Sequence, residues 1–174
     1  MREPKLSKDI ESMIRVDQAG EYGATRIYAG QLAVLGKSSI GNTLRHMLAQ
    51  EEVHLKTFND MCIGRGVQPT IMQPLWHVGG FALGAVTALM GEKAAHACTI
   101  AVEEVISDHY QNQLNRLDES DSELKSIVEK FRLEELEHKD HAEHEGGRDA
   151  PFYQGIASVV KGITRAAIWI SERV

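Results

Sequence analysis

Two five-residue stretches, QEEVH at 50–54 and EELEH at 134–138, carry one short pattern, Glu-x-x-His: Glu51 with His54, and Glu135 with His138. On a helix, positions three apart share a face, so each copy points a carboxylate and an imidazole the same way. Both groups are good ligands for iron and manganese. In a chain this rich in glutamate, two copies are unremarkable by count, and it is their setting that carries the signal. Each copy falls in register with an apolar helical stripe. Each also follows an earlier helix-like stretch bearing another stripe glutamate, Glu21 before the first and Glu103 before the second. The order Glu…Glu-x-x-His, given twice, is the ligand order of a di-iron or di-manganese carboxylate centre in a four-helix bundle.

Outward from these stretches the chain reads as helices. The first spans about 7–35, with Ile10, Ile14, Asp17, Glu21, Ala24, Tyr28, Gln31 and Leu35 on one face. That face is apolar at its ends and acidic in its middle. Burying a carboxylate costs several kcal/mol unless something compensates, and a metal ion does so. Glu21 is therefore a candidate ligand, and Asp17, one turn earlier, can orient a ligand histidine. The second helix follows the turn GKSSIGNT, with Asn42 or Thr43 as cap, and runs to about Arg65 through Leu44, Met47, Glu51, His54, Phe58 and Cys62. A third bundle helix runs from about Glu92 to Leu117, with Val102, Glu103, Ile106 and Tyr110 on its face. A fourth starts at Asp121 or Ser122 and carries Leu124, Phe131, Glu135, His138 and Ala142. The neighbouring Glu52, Glu104, Glu134 and Glu137, with His46, fall off the stripes and read as surface groups. His141 and His144 read as a solvated helix end.

Between the two halves lies PLWHVGGFALGAVTALMG, 74–91, with almost no polar face. Its longest apolar run is too short to span a bilayer, which takes about 20 residues. It reads either as a buried crossover helix or as a segment that dips into one leaflet and lines a mouth for an apolar substrate. The spacing Gly80-x-x-x-Gly84 permits close helix contact. After Pro151 a last helix sets Ile156, Val160, Ile163, Ala167 and Ile170 on one face, which fits either a membrane surface or packing on the bundle.

Composition narrows the class. At 174 residues with 43% hydrophobic and 25% charged side chains, the chain fits one domain, 1–174, with a sizeable core. A net charge of −6 without a basic block excludes a general nucleic-acid binder. Cys62 and Cys98 form no Cys-x-x-Cys pair, which predicts two packed thiols in a reducing compartment. MREPKLSKDIES has neither an apolar signal core nor transit-peptide character, which leans toward a bacterial protein over a processed mitochondrial one.

RVDQAGEYGATRIYAGQLAVLG, QEEVHLKTFN, PLWHVGGFALGAVTALMG, ACTIAVEEVISDHY, FRLEELEHKDHA and the closing ISERV together resemble the demethoxyubiquinone hydroxylase family of ubiquinone biosynthesis, over nearly the whole chain. The resemblance implies an all-α, ferritin-like four-helix bundle with an apolar crossover helix and an extra C-terminal amphipathic helix. It implies two Fe ions held by Glu21, Glu51, His54, Glu103, Glu135 and His138, and O2-dependent hydroxylation of a polyprenyl demethoxyubiquinol. It implies NADH as reductant, with His109, Tyr110 and Arg165 involved in the transfer. Trp169 stands where the family pattern has a tyrosine one turn after Arg165, so a tyrosine relay through the last helix is not expected. The implied partners are the quinol, a membrane surface, and a lipid-binding accessory protein or ubiquinone-biosynthesis complex, with a homo-oligomer left open. The implied location is the cytoplasmic face of a bacterial inner membrane, or alternatively the matrix face of the mitochondrial one. Competing readings are a ferritin-like iron store or ferroxidase, a manganese catalase, and a rubrerythrin-type peroxidase. The last usually carries a four-cysteine iron site, for which two cysteines are too few.

Overall fold

The computed structural model describes residues 7–174, apart from the side chain of Ser120. The expectation of no leader rests partly on residues 1–6, outside that description. Six α-helices follow in order: α1 Lys8–Leu35, α2 Gly41–Arg65, α3 Gln73–Leu89, α4 Glu92–Leu114, α5 Ser122–His144 and α6 Tyr153–Ser171. There is no strand among the described residues, and the architecture is the expected all-α bundle. Helices α1 and α2 form one packed hairpin, α4 and α5 the other, and α3 connects them while lying against α1.

Local chemistry sets the ends. Ser7 caps α1, its hydroxyl accepting from the Ile10 amide at 3.2 Å. Asp121 caps α5 through the Leu124 amide at 3.3 Å and is itself clamped by Arg65 at 2.5 and 2.9 Å, which ties the start of α5 to the end of α2. Gly66 closes α2 in the left-handed conformation (φ 68°), where a side chain would be strained. Two boundaries differ from the sequence reading. Helix α2 starts at Gly41 without a side-chain cap, so neither Asn42 nor Thr43 caps it. Helix α4 ends at Leu114, and Leu117, beyond it, is nonetheless buried.

The core divides around the middle of the bundle. Met13, Ile14, Phe58, Leu124, Val128 and Phe131 pack at one end. Tyr28, Leu44 and Met47 form a smaller cluster, and the alanine-rich side of α4 receives Ile156 and Val160 from α6. Cys62 and Cys98 are both free and buried, and burial pushes the Cys98 thiol up to about 12.

The crossover is not a buried core helix. One edge of α3 touches α1 so closely that a Cβ on Gly84 would lie 2.0 Å from the Ile27 carbonyl oxygen. A Cβ on Gly30 would lie 2.1 Å from that of Phe81, so backbone meets backbone there. The opposite edge leaves Leu75, Val78, Val86 and Leu89 exposed. Helix α6 packs on α4 and α1 but exposes Val159, Ile163 and Trp169. No described helix is long and apolar enough to cross a membrane. His144 is exposed as expected, whereas His141 turns half inward, its ring 6.3 Å from that of buried His96.

Candidate metal centre

Six side chains meet in the middle of the bundle, from α1 (Glu21), α2 (Glu51, His54), α4 (Glu103) and α5 (Glu135, His138), and all are buried. Ligand atoms of Glu21, Glu51, His54 and Glu135 lie within 4.8 Å of one another, as do those of Glu51, Glu103, Glu135 and His138. Glu51 and Glu135 belong to both groups and so stand between two candidate metal positions. These are the two groupings of this kind among the described residues.

The imidazoles face inward by Nδ1. His54 Nδ1 lies 3.0 Å from Glu135, 3.5 Å from Glu21 and 3.8 Å from Glu51. His138 Nδ1 lies 3.2 Å from both Glu51 and Glu135. Each outer nitrogen is held from the opposite hairpin: His54 Nε2 by Glu134 Oε2 at 2.7 Å, His138 Nε2 by Gln50 Oε1 at 3.1 Å. With Nε2 donating outward, Nδ1 is free to present its lone pair to a metal. Glu134 and Gln50 are the residues that immediately precede the two ligand glutamates. Glu134 therefore does not point away, contrary to the sequence reading. Reaching the histidine of a different helix, it leaves no trace in the periodicity of its own.

The first and third bundle helices repeat the same exchange. Tyr28 and Tyr110 stand seven residues after Glu21 and Glu103, and each donates to the glutamate of the other helix: Tyr110 to Glu21, and Tyr28 to Glu103 at 3.2 Å. The twin spacing Glu-x6-Tyr was a legible signal that points to Tyr28. The sequence reading gave Asp17 the task of orienting a ligand histidine, but it contacts neither His54 nor His138. It accepts from Gln113 at 2.7 Å and lies 3.4 Å from His109.

Electrostatics mark the cluster as incomplete without a cation. Burial, with Glu135 and other carboxylates close by, pushes Glu51 and Glu103 well above the carboxylate range. Burial also opposes the charge on Glu135, but the imidazoles of His138 and His54 close beside it outweigh that and hold the carboxyl at about 2. Burial alone would lower His54; its contacts with Glu135 and Glu21 instead push it up to about 12. Both Glu51 oxygens, Glu135 Oε2 and His138 Nδ1 are buried without a hydrogen bond. Four carboxylates around orphaned buried donor atoms fit divalent cations, whose charge and ligand demand would satisfy them.

The six residues have one open side. A narrow cavity of about 10 Å³ is lined by Glu21, Glu51, Glu103 and Glu135, with Asp17, His109 and Tyr110, and by neither ligand histidine. Through Val16, Gly20, Ala24, Ile106 and Ile168 it adjoins a wider apolar cavity of about 290 Å³ among α1, α3, α4 and α6. His109 and Tyr110 thus stand beside the carboxylates. Arg165 does not: it lies on the exposed side of α6, lining a separate groove with Glu104, Asp108, Lys139 and Lys161.

Comparison with known proteins gives the chain its relatives. The profile of the family described as "Ubiquinone biosynthesis protein COQ7" matches residues 8–171. A Rhodospirillum rubrum protein named "3-demethoxyubiquinol 3-hydroxylase" is 53% identical over 173 residues, covering 99% of this chain and 82% of its own length. The human "NADPH-dependent 3-demethoxyubiquinone 3-hydroxylase, mitochondrial" is 50% identical over 168 residues, 94% of this chain and 77% of its own. The Saccharomyces cerevisiae "5-demethoxyubiquinone hydroxylase, mitochondrial" is 42% identical over 183 aligned residues. A profile match along almost the entire described chain, with relatives half identical to it, establishes that the chain belongs to the COQ7 family of ubiquinone biosynthesis proteins.

Proposed function

We propose that this protein, folded as a single domain, is a 3-demethoxyubiquinol 3-hydroxylase: a monooxygenase that adds one oxygen atom from O2 to a polyprenyl demethoxyubiquinol ring. The observation that carries the reading is the apolar cavity that narrows onto four buried carboxylates. An iron store or a catalase has no use for such an approach, whereas a quinol with an apolar tail needs one.

Glu21, Glu51, His54, Glu103, Glu135 and His138 are the residues that would hold two iron ions. Bound there, iron supplies activation of O2, with one oxygen atom passing to the ring and the other leaving as water. The protein's own part is placement. Tyr110 and Tyr28 fix the outer glutamates, and Glu134 and Gln50 fix the histidines. Val16, Ile106 and Ile168 keep bulk water from the carboxylates, and Asp17 and His109, both held by Gln113, give the inner cavity a polar wall. The reductant is a nicotinamide dinucleotide, in keeping with the name of the human relative, and the groove beside Arg165 is where its phosphates would find cations.

The exposed apolar side chains of α3 and α6 flank the wide cavity, and Trp76 Nε1 ties the two helices through Ser171 Oγ at 3.0 Å. We assign them to the surface of the membrane that holds the substrate, on the cytoplasmic face of a bacterial inner membrane or the matrix face of a mitochondrial one. The same surface would meet a lipid-binding accessory protein.

The test is iron content and turnover in one preparation. About two irons per chain, and one labelled oxygen in the quinol product after anaerobic reduction and labelled O2, are expected. Glu51→Ala and Glu135→Ala should lose both iron and product. Iron that oxidises rapidly while leaving the quinol untouched would overturn the hydroxylase reading in favour of a ferroxidase.

A further inference from the structure

The helical glycines fall into two kinds. Gly30, Gly80 and Gly84 have no room for a side chain: a Cβ at each would meet α1 or α3 at 3.0 Å or less. Gly20, Gly23 and Gly79 have room. A Cβ on Gly23 or Gly79 would meet nothing within 4 Å, and one on Gly20 would make an ordinary 3.7 Å contact with Ile106 Cδ1. None of the three has a positive φ. Packing and backbone geometry thus leave these three unexplained, although glycine inside a helix is destabilising relative to alanine. Gly64, Gly155 and Gly162 have the same open space at exposed positions, and what sets Gly20, Gly23 and Gly79 apart from them is the apolar cavity. All three line it, and Gly20 also lines the narrow inner cavity, so the space their missing side chains leave is the passage itself. The far end of that passage holds buried atoms with no hydrogen bond, namely Asp17 Oδ2, both Glu51 oxygens and Glu135 Oε2.

We infer that Gly20, Gly23 and Gly79 are specificity-determining residues that keep the wide cavity open for a substituted quinol ring entering between α3 and α6 and seating against the neck that leads to the carboxylates. The inference rests on the proposed quinol substrate and adds the residues that decide which ring enters. Gly20 sits at the neck, where the wide cavity gives way to the narrow one, and acts on the ring. Gly23 and Gly79 lie in the wide part and act on ring and tail alike. Helix stability is given up at these positions in exchange for passage.

The experiment compares Gly20→Ala, Gly23→Ala and Gly23→Leu with Gly162→Ala, a control on α6 whose added Cβ also meets open space but outside the cavity. The probe is a decyl-tailed methoxybenzoquinone, its binding read by quenching of Trp76 fluorescence in a Trp169→Phe background. All the alanine variants should melt higher than the parent, by about 2–4 °C each. Iron content should be unchanged. Quinone binding and kcat/KM should fall on the order of tenfold for Gly20→Ala and further for Gly23→Leu, and stay at the parent value for Gly162→Ala. Cavity-lining variants that bind and convert the quinone like the parent would overturn the inference, as would alanine variants at 20 or 23 that melt lower, which would show a packing role. A parent protein that fails to bind the probe overturns the passage. One that binds it without hydroxylating it overturns the assigned reaction and leaves the glycine inference to the binding ratios.

Discussion

Glu51 and Glu135 stand where no carboxylate would stay charged without help; the two histidines supply it to Glu135, whereas burial and the neighbouring carboxylates push Glu51 well above the usual range. Two of the four supporting residues, Tyr28 and Tyr110, act on the outer glutamates by hydrogen bonds that cross between α1 and α4. Tyr110 faces the cavity, whereas Tyr28 is walled in, its ring 6.3 Å from His138. Tyr28→Phe keeps the packing and removes only the donor to Glu103. Loss of such an outer partner weakens metal binding by about 10- to 100-fold. The expected result is a second binding phase in a ferrous or cobaltous titration, with the fold unchanged by circular dichroism; a single phase with the parent's affinity would assign Tyr28 to packing alone. Sequence periodicity was enough to find the six inner residues, because each lies on its own helix's buried face. Glu134 and Gln50 lay outside its reach, because their partners sit on the opposite hairpin.

At the scale of the elements, α6 is held on the bundle by charge as well as by Ile156 and Val160. Glu104, one position from Glu103 but turned outward, pairs with Lys161 on α6 and with Arg148 at 3.1 Å. Burial opposes its charge, but the two cations outweigh that and hold its carboxyl below the ordinary 4.5. A depressed carboxyl contributes stability that is present above that ordinary value and lost as pH falls through the folded-state value. Glu104→Gln should therefore lower stability at pH 7 by up to about 1 kcal/mol, Glu104 being partly exposed. The gap to the parent should close as the solution is acidified below 4.5. Denaturant melts at the two pH values check both size and sign. The crossover shows how far a one-dimensional reading of an element goes. Its apolar composition was plain, yet whether it was core or surface depended on α1, which receives only the glycine edge and leaves the other edge open.

Taken whole, the molecule is a bundle whose centre is a cluster of buried acids and imidazoles that could hold metal ions. Anything that binds the folded state alone stabilises it by mass action: about 2.7 kcal/mol at a free metal concentration one hundred times Kd. For a chain of this size that corresponds to a rise in Tm of roughly 5–11 °C. Ferrous or manganous ion added to metal-free protein should produce it, and a chelator should reverse it; an unchanged Tm would mean that the six side chains bind no metal with useful affinity.

The linear order of residues decided the helices, the pairing of Glu21 with Glu51 and His54 and of Glu103 with Glu135 and His138, and the family, because periodicity and spacing are properties of one helix at a time. Tertiary structure alone decided which residues support the cluster and where a substrate can enter. Those depend on contacts between side chains far apart in the chain, such as Tyr110 with Glu21, 89 residues away, and on empty space, which no residue spells out. The glycines of α1 make the point: alike in sequence, Gly30 is required by a backbone 2.1 Å from its absent Cβ, and Gly23 borders a void.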